Sequence, residues 1–405
     1  MAYDGNDYND VERILGKVFD NKNTTLKDLF NSSLVREGLT FSGALTKLRT
    51  EHRALNGVFE ASQKHHDLLM LDRLAKFLEI PTGTLVEELI AQLQVTFADE
   101  LQTIEKELFI KNSFDLPYLK KIGLIDNLRD LAHVEERLVA HFGYSSIFEY
   151  GRETIGVAFS SGNRKSKSLF GKTFWAEQSL KLLNNVTNYF EYDRDALKEY
   201  IPLIRWHSTN VKRGLSQVIR DLFKLGITVI VRPRLPNVDA RGATFATKDD
   251  KPAIVLTNYS DLYPSLWFAL LHELHHVLFD WSHIREVTYH ITGELDLFSK
   301  QEVEADDFAN TILLPDSKFK IVKPHIDNQT FVEEFARANQ MHSSVVYARY
   351  CWAMQDSDKK VWAKYRNRIP DALEAMPSLP RNPWQTKADL KQIAKQTQDT
   401  IFKGI

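Results

Sequence analysis

The chain has 405 residues, 43% of them hydrophobic and 26% charged, ordinary globular proportions that exclude a wholly disordered chain and, at about 150 residues per domain, imply two or three domains. Its net charge of −2 exerts no overall pull toward nucleic acid or anionic lipid. No run of about 18 apolar residues occurs, so no membrane span is expected, and the single cysteine, Cys351, forms neither an internal disulfide nor a thiolate metal site by itself. The polar, acidic start MAYDGNDYND lacks a secretory pattern, and a cytoplasmic location is the expectation.

Residues 23–98 read as a helical domain. SGALTKLR (42–49) and RALNGVFEASQ (53–63) are two short helices joined by a tight turn. LLMLDRLAKFLEI (68–80) puts Leu71, Leu74 and Leu78 at helical spacing until Pro81 stops it, and TGTLVEELIAQL starts again with Thr82 or Thr84 as cap. Residues 99–158 read as a helical connector containing the amphipathic RDLAHVEERLVAHFGYSSIFEY. The small, basic SSGNRKSKS marks an exposed linker over 159–170, where Arg164, Lys165 and Lys167 could touch phosphate or simply be solvated.

Residues 171–318 form a mixed region. FWAEQSLKLLNNVTNYF and LSQVIRDLFKLG are helical, the second ended by Gly226. ITVIVRP (227–233), ATFAT and AIVLTN (253–258) read as strands, the last two around the turn-like KDDKP. SLWFALLHELHHVLFDW (265–281) and KQEVEADDFANTILL (300–314) read as helices, the second stopped by Pro315. Residues 319–405 read as a helical region broken at AMPSLPRNPW, with Cys351 a buried core residue of an apolar helix.

The sharpest chemistry lies in His272-Glu273-Leu274-His275-His276. His272 and His276, at i and i+4, share one helix face, so both imidazoles can point at one metal ion. Zinc suits two neutral imidazoles with an open coordination position, and Glu273 is placed to take a proton from the attacking water. His275 is rotated by about 100° from His276, which favours a supporting role over a ligand role. A third ligand is needed. A metzincin would have glycine and histidine where this chain has Phe279 and Ser282, so that class fails. The second helix offers Glu302 or Glu304, about 200° apart on the helix. Glu302 is preferred: Asp306 follows one turn later and can orient a motif histidine, and Ala305 and Ala309 permit close helix approach. His283, Tyr289 and His290 are candidates for stabilising an oxyanion.

HELHH followed by EVEADDFANTILLP (302–315) resembles the ImmA/IrrE metallopeptidases. The resemblance implies His272 and His276 as ligand histidines, Glu273 as catalytic glutamate and Glu302 as ligand glutamate. RGATF (241–245) and KPAIVLTN resemble that family's edge-hairpin region. His275 stands where the family usually has glycine, and Asp306 where it usually has asparagine. The N-terminal helices resemble the XRE-type helix-turn-helix domains that often precede such peptidases. SGALTKLR would be the first helix of that motif and RALNGVFEASQ its recognition helix, with Arg53, Asn56 and Gln63 as DNA contacts. Against this, residues 1–100 carry 11 Lys and Arg and 16 Asp and Glu, a net of −5, whereas a DNA-binding module needs a basic face.

The expected fold is therefore α+β, mostly α: a helix-turn-helix-like domain, a zincin-like domain with a small sheet, and a helical C-terminal region. The resemblance implies a Zn²⁺ metallopeptidase that cleaves a repressor or antitoxin in a stress, mobile-element or defence response. DNA and a second copy of the chain are the further partners expected. Two alternatives come from other classes: a DNA-binding regulator whose metal domain senses or scaffolds, and an interaction protein that holds a partner until a signal arrives.

Overall fold

The computed structural model describes residues 25–152, 167–291, 299–376 and 388–403. The fold is α+β and mostly α, and the chain divides into two compact units after Lys106.

The first unit contains α1 (Leu26–Glu37), α2 (Phe41–Leu48), α3 (His52–Phe59), α4 (Leu68–Leu78) and α5 (Thr82–Thr96). Local signals set most of its boundaries. Thr25 and Asp28 form a reciprocal cap on α1, and Gly38 ends that helix at φ 64°. Thr40 caps α2, and Arg49 turns left-handed at φ 53° to open the tight turn into α3. Phe30 sits at the centre, its ring 5.6, 5.2 and 5.5 Å from those of Phe41, Phe59 and Phe77. Leu48, Leu55, Leu74 and Leu85 close the core around it.

Two boundaries differ from the sequence reading. Pro81, not Thr82 or Thr84, stands at the N-cap of α5, because proline's missing N–H and fixed φ suit a helix start. The Thr82 hydroxyl instead donates to Asp72 of α4 at 2.9 Å. The helix α3 ends at Phe59 rather than Gln63, with Ala61 buried at φ 47°. No glycine or proline marks that stop; burying Ala61 overrides its local preference.

The second unit begins within α6 (Ala98–Ser113) and continues through α7 (Leu116–Ile122), α8 (Leu131–Phe142), α9 (Lys167–Leu183), α10 (Arg194–His207) and α11 (Gly214–Lys224). Gly226, at φ 78°, turns α11 into β1; a side chain there would strike the backbone of Glu191 and Tyr192. The strands are β1 (Thr228–Arg232), β2 (Gly242–Ala246), β3 (Pro252–Thr257) and β4 (Tyr289–Ile291), ordered β1-β3-β2-β4. Only β1 and β3 run parallel; β2 is antiparallel to both β3 and β4. The β2–β3 hairpin forms, but β2 is not an edge, because β4 covers it. With three residues and no alternation, β4 carries too little pattern to be read from sequence.

Against this sheet lies α12 (Tyr263–Phe279), followed by α13 (Trp281–Val287) and α14 (Ser299–Leu313). Nearly every side chain of α12 is buried, as its all-round apolar sequence requires. Ala305 and Ala309 of α14 are fully buried, which lets the two helices approach closely. Arg194 donates to the Leu278 carbonyl at 3.0 and 2.8 Å, and Tyr192 to that of Val277 at 3.2 Å. These bonds satisfy the orphan acceptors at the α12 C-terminus, where a cation also suits the helix dipole.

The C-terminal part comprises α15 (Asp316–Val322), α16 (Gln329–Ala338), α17 (Ser343–Met354), α18 (Val361–Tyr365) and α19 (Leu390–Ile401). The stretches read as connector and tail share one core with the mixed region. Phe402 stacks on Phe223 at 4.0 Å, Tyr118 donates to the Pro236 carbonyl at 2.8 Å, and Leu262 bridges to Asp371 beside the start of α12. Amphipathic helices declare an apolar face in sequence but not the partner that covers it. Cys351 is fully buried among them, and burial pushes its thiol up to about 11. Arg164 and Lys165 lie outside the described residues. No described helix is long and apolar enough to cross a membrane.

Candidate metal centre

The i, i+4 spacing brings His272 and His276 onto one face of α12, their Nε2 atoms 3.2 Å apart. Glu302 of α14 places its Oε1 3.5 Å from His272 Nε2 and 3.2 Å from His276 Nε2. All three residues are shielded from solvent, His276 completely. These separations are the edges of a tetrahedron whose centre lies about 2 Å from each corner, the ligand distance of a small divalent ion. The three residues can hold a metal ion. Glu304 points elsewhere, pairing with Lys300 at 3.4 Å with half its side chain exposed.

The outer contacts decide which nitrogen of each ring faces the cluster. His272 Nδ1 lies 2.8 Å from Asp306, and His276 Nδ1 2.8 Å from Asp280. A carboxylate only accepts, so each Nδ1 carries the proton and, in the neutral ring, each Nε2 turns a lone pair inward. Asp306 was expected from the sequence. Asp280 was not, although it follows His276 by the same i+4 step that relates the two histidines. Glu302 is oriented in turn by His290 of β4, whose Nε2 donates to Oε1 at 2.7 Å.

Glu273 is fully buried and accepts from the Thr244 hydroxyl at 2.8 Å. A side chain at position 242 would sit 2.6 Å from Glu273 Oε1, so glycine leaves the room this carboxylate occupies. Thr244 and His290 are direct cross-strand partners on β2 and β4. One pair of strands therefore braces both carboxylates that the sequence assigned to chemistry.

The electrostatics match a site built around a cation. Burial disfavours the His272 imidazolium, but Asp306, Glu302 and Glu273 outweigh it and raise the pKa to about 10. Burial likewise opposes the His276 imidazolium, and Asp280 with Glu302 raise it to about 9. Burial would raise the Glu302 pKa, yet hydrogen bonds from His272, His276 and His290 hold that carboxyl far below its usual range. The buried cluster thus takes up positive charge, as protons or as a metal ion.

Other sequence candidates fall elsewhere. His275 is buried, lies 3.7 Å from Asp280 and packs its ring against Phe279 and Phe308. Burial, then the neighbouring His276, lowers its pKa; it shares the carboxylate that orients His276 and packs against α14. His283 is exposed on α13, 3.8 Å from Glu286. Tyr289 is buried against Phe245 at 5.6 Å.

In the first unit, Arg53 is exposed on α3, and Asn56 is bonded to His52 at 3.3 Å. Gln63 lies beyond the helix and donates to the Arg53 carbonyl at 3.2 Å, which holds the loop after α3 back against the helix. Many cations of this unit are already paired: Arg36 with Glu79, Lys47 with Glu37, Lys64 with Glu100 and Lys76 with Asp72. Arg73 donates to the Leu48 carbonyl. Compared with known proteins, the chain matches no family model, no curated protein and no solved structure.

Proposed function

We propose that the chain is a zinc-dependent metallopeptidase of the ImmA/IrrE type that cleaves a specific regulatory protein, such as a repressor or antitoxin. One observation carries the reading: two imidazole lone pairs and one carboxylate oxygen converge at tetrahedral spacing, with a glutamate next to the first histidine. Imidazole nitrogens with a single carboxylate favour zinc over magnesium or calcium, which take oxygen ligands.

Zinc held by His272, His276 and Glu302 would polarise the scissile carbonyl and lower the pKa of a water toward about 7. Glu273 takes the proton of the attacking water and delivers it to the leaving amine. Thr244 holds that carboxylate in place, and Asp306 and Asp280 keep the two imidazoles in the required tautomer.

Elemental analysis of the purified protein tests the site. We expect about one zinc per chain, lost in Glu302→Gln and kept in Glu304→Gln. Zinc-free protein after reconstitution would end the peptidase reading. For the first unit, exposed Arg53 beside the tight turn keeps DNA as the competing partner. Duplex binding whose affinity falls steeply with added salt would support that partner; salt-independent capture of a protein would remove it.

A further inference from the structure

Beside the metal centre lies a cleft of about 220 Å³ lined by Arg241, Phe268, Asp306, Asn310, Trp352 and Gln355. It abuts the site at two points. Asp306 accepts from His272, and the Phe268 ring lies 6.3 Å from the His272 ring. A smaller recess of about 100 Å³ shares Arg241, Phe268 and Trp352 and extends between Leu262, Leu266 and Ala269. Its lining is mostly apolar, and Phe268 and Trp352 touch at 5.7 Å.

The polar groups of the cleft are mainly donors. Arg241 is exposed and its guanidinium has no hydrogen-bond or ion-pair partner among the described residues. Asn310 Oδ1 accepts from Arg349 at 2.8 Å, and Gln355 Oε1 accepts from the Trp362 indole at 3.2 Å. With both amide oxygens engaged, the amide nitrogens remain as donors. The one carboxylate of the lining, Asp306, engages His272 through Oδ1. An unpaired guanidinium in one cleft with two aromatic side chains fits a carboxylate on an apolar stem, bound by the planar fork of arginine.

We propose that this cleft selects the peptide substrate by binding a carboxylate of the peptide on Arg241, with the attached apolar stem against Phe268 and Trp352. The inference rests on the peptidase reading and names its substrate class. The carboxylate comes either from an acidic side chain near the scissile bond or from the chain terminus.

The test separates binding from cleavage. Full-length, zinc-loaded Glu273→Gln protein is incubated with a random peptide pool, once with both ends blocked and once with free C-termini. Retained peptides are identified by mass spectrometry. We expect acidic peptides to be enriched about tenfold over their amide counterparts, the enrichment to vanish in Arg241→Gln, and Arg241→Glu to favour lysine-containing peptides. Acidic enrichment in the blocked pool assigns the side-chain source; retention of the free pool over the blocked pool without acidic preference, lost in Arg241→Gln, assigns the terminus. The absence of both acidic enrichment and preferential retention of the free pool, or either of them unchanged by Arg241→Glu, overturns the proposal. Cleavage of the same pools by the parent protein is scored separately. A parent that cleaves with neither an acidic nor a free-terminus preference sinks the subsite alone, and one that binds peptide carboxylates through Arg241 without cleaving any sinks the peptidase reading instead.

Discussion

The α12–α14 cluster and the α3 surface of the first unit each carry candidate residues at helical spacing, yet they are built differently. In the cluster His272, Glu273 and His276 are buried, Glu302 is largely buried, and each is held from behind: Asp306 behind His272, Asp280 behind His276, His290 behind Glu302 and Thr244 behind Glu273. On α3, Arg53 is exposed and Asn56 bonds to a neighbour one turn away, and beyond the helix Gln63 is used within the unit. A buried titratable group is costly unless its partners are fixed, so its surroundings report a purpose. An exposed arginine costs little and reports nothing by itself.

The sharpest way to break this contrast is to remove one member of the cluster. Glu302→Gln should abolish metal binding, from about one ion per chain to none, whereas Arg53→Ala should leave metal content and melting unchanged. Glu273→Gln should keep the metal, because the residue is not a ligand, and reduce peptide cleavage about 100- to 10,000-fold. Retained cleavage would remove Glu273 from the chemistry.

The bracing carboxylates should matter next. Asp280→Asn or Asp306→Asn should weaken metal affinity about 10- to 100-fold, measured by competition with a chelator. An unchanged affinity would mean that helix packing alone orients the rings. The metal-free protein should also show the charge demand of the cluster. His272 and His276 hold protons up to pH values of about 10 and about 9 in the folded state, against about 6.5 when unfolded. Their raised folded pKa values contribute stability that is complete below pH about 6.5 and lost as pH rises through 9 to 10. Melting temperature without metal should therefore fall over that window, and bound zinc should flatten the fall by replacing the protons. The smallest effect belongs to the first unit: Gln63→Ala should cost about 1 kcal/mol in denaturant unfolding through the lost bond to the Arg53 carbonyl.

Much of the cluster was legible because its geometry is local. His272, Glu273 and His276 share one helix, and Asp306 follows Glu302 by one turn, so spacing sufficed. The same rule relates Asp280 to His276. Glu302 is favoured over Glu304 by Asp306 one turn later and by the small residues Ala305 and Ala309, both fully buried. Thr244 and His290 were out of reach in their actual roles. They meet the site only because β2 and β4 pair across many intervening residues, and a three-residue strand leaves no period to read.

The sequence by itself determined the helix-rich class, most element positions and the trio that can hold a metal ion, because helical periodicity and side-chain chemistry are short-range properties. Only the tertiary structure decided that connector, mixed region and tail share one core, that α3 stops early, and which groups stand behind each charged residue. Those outcomes depend on long-range packing, where burial outweighs local preference.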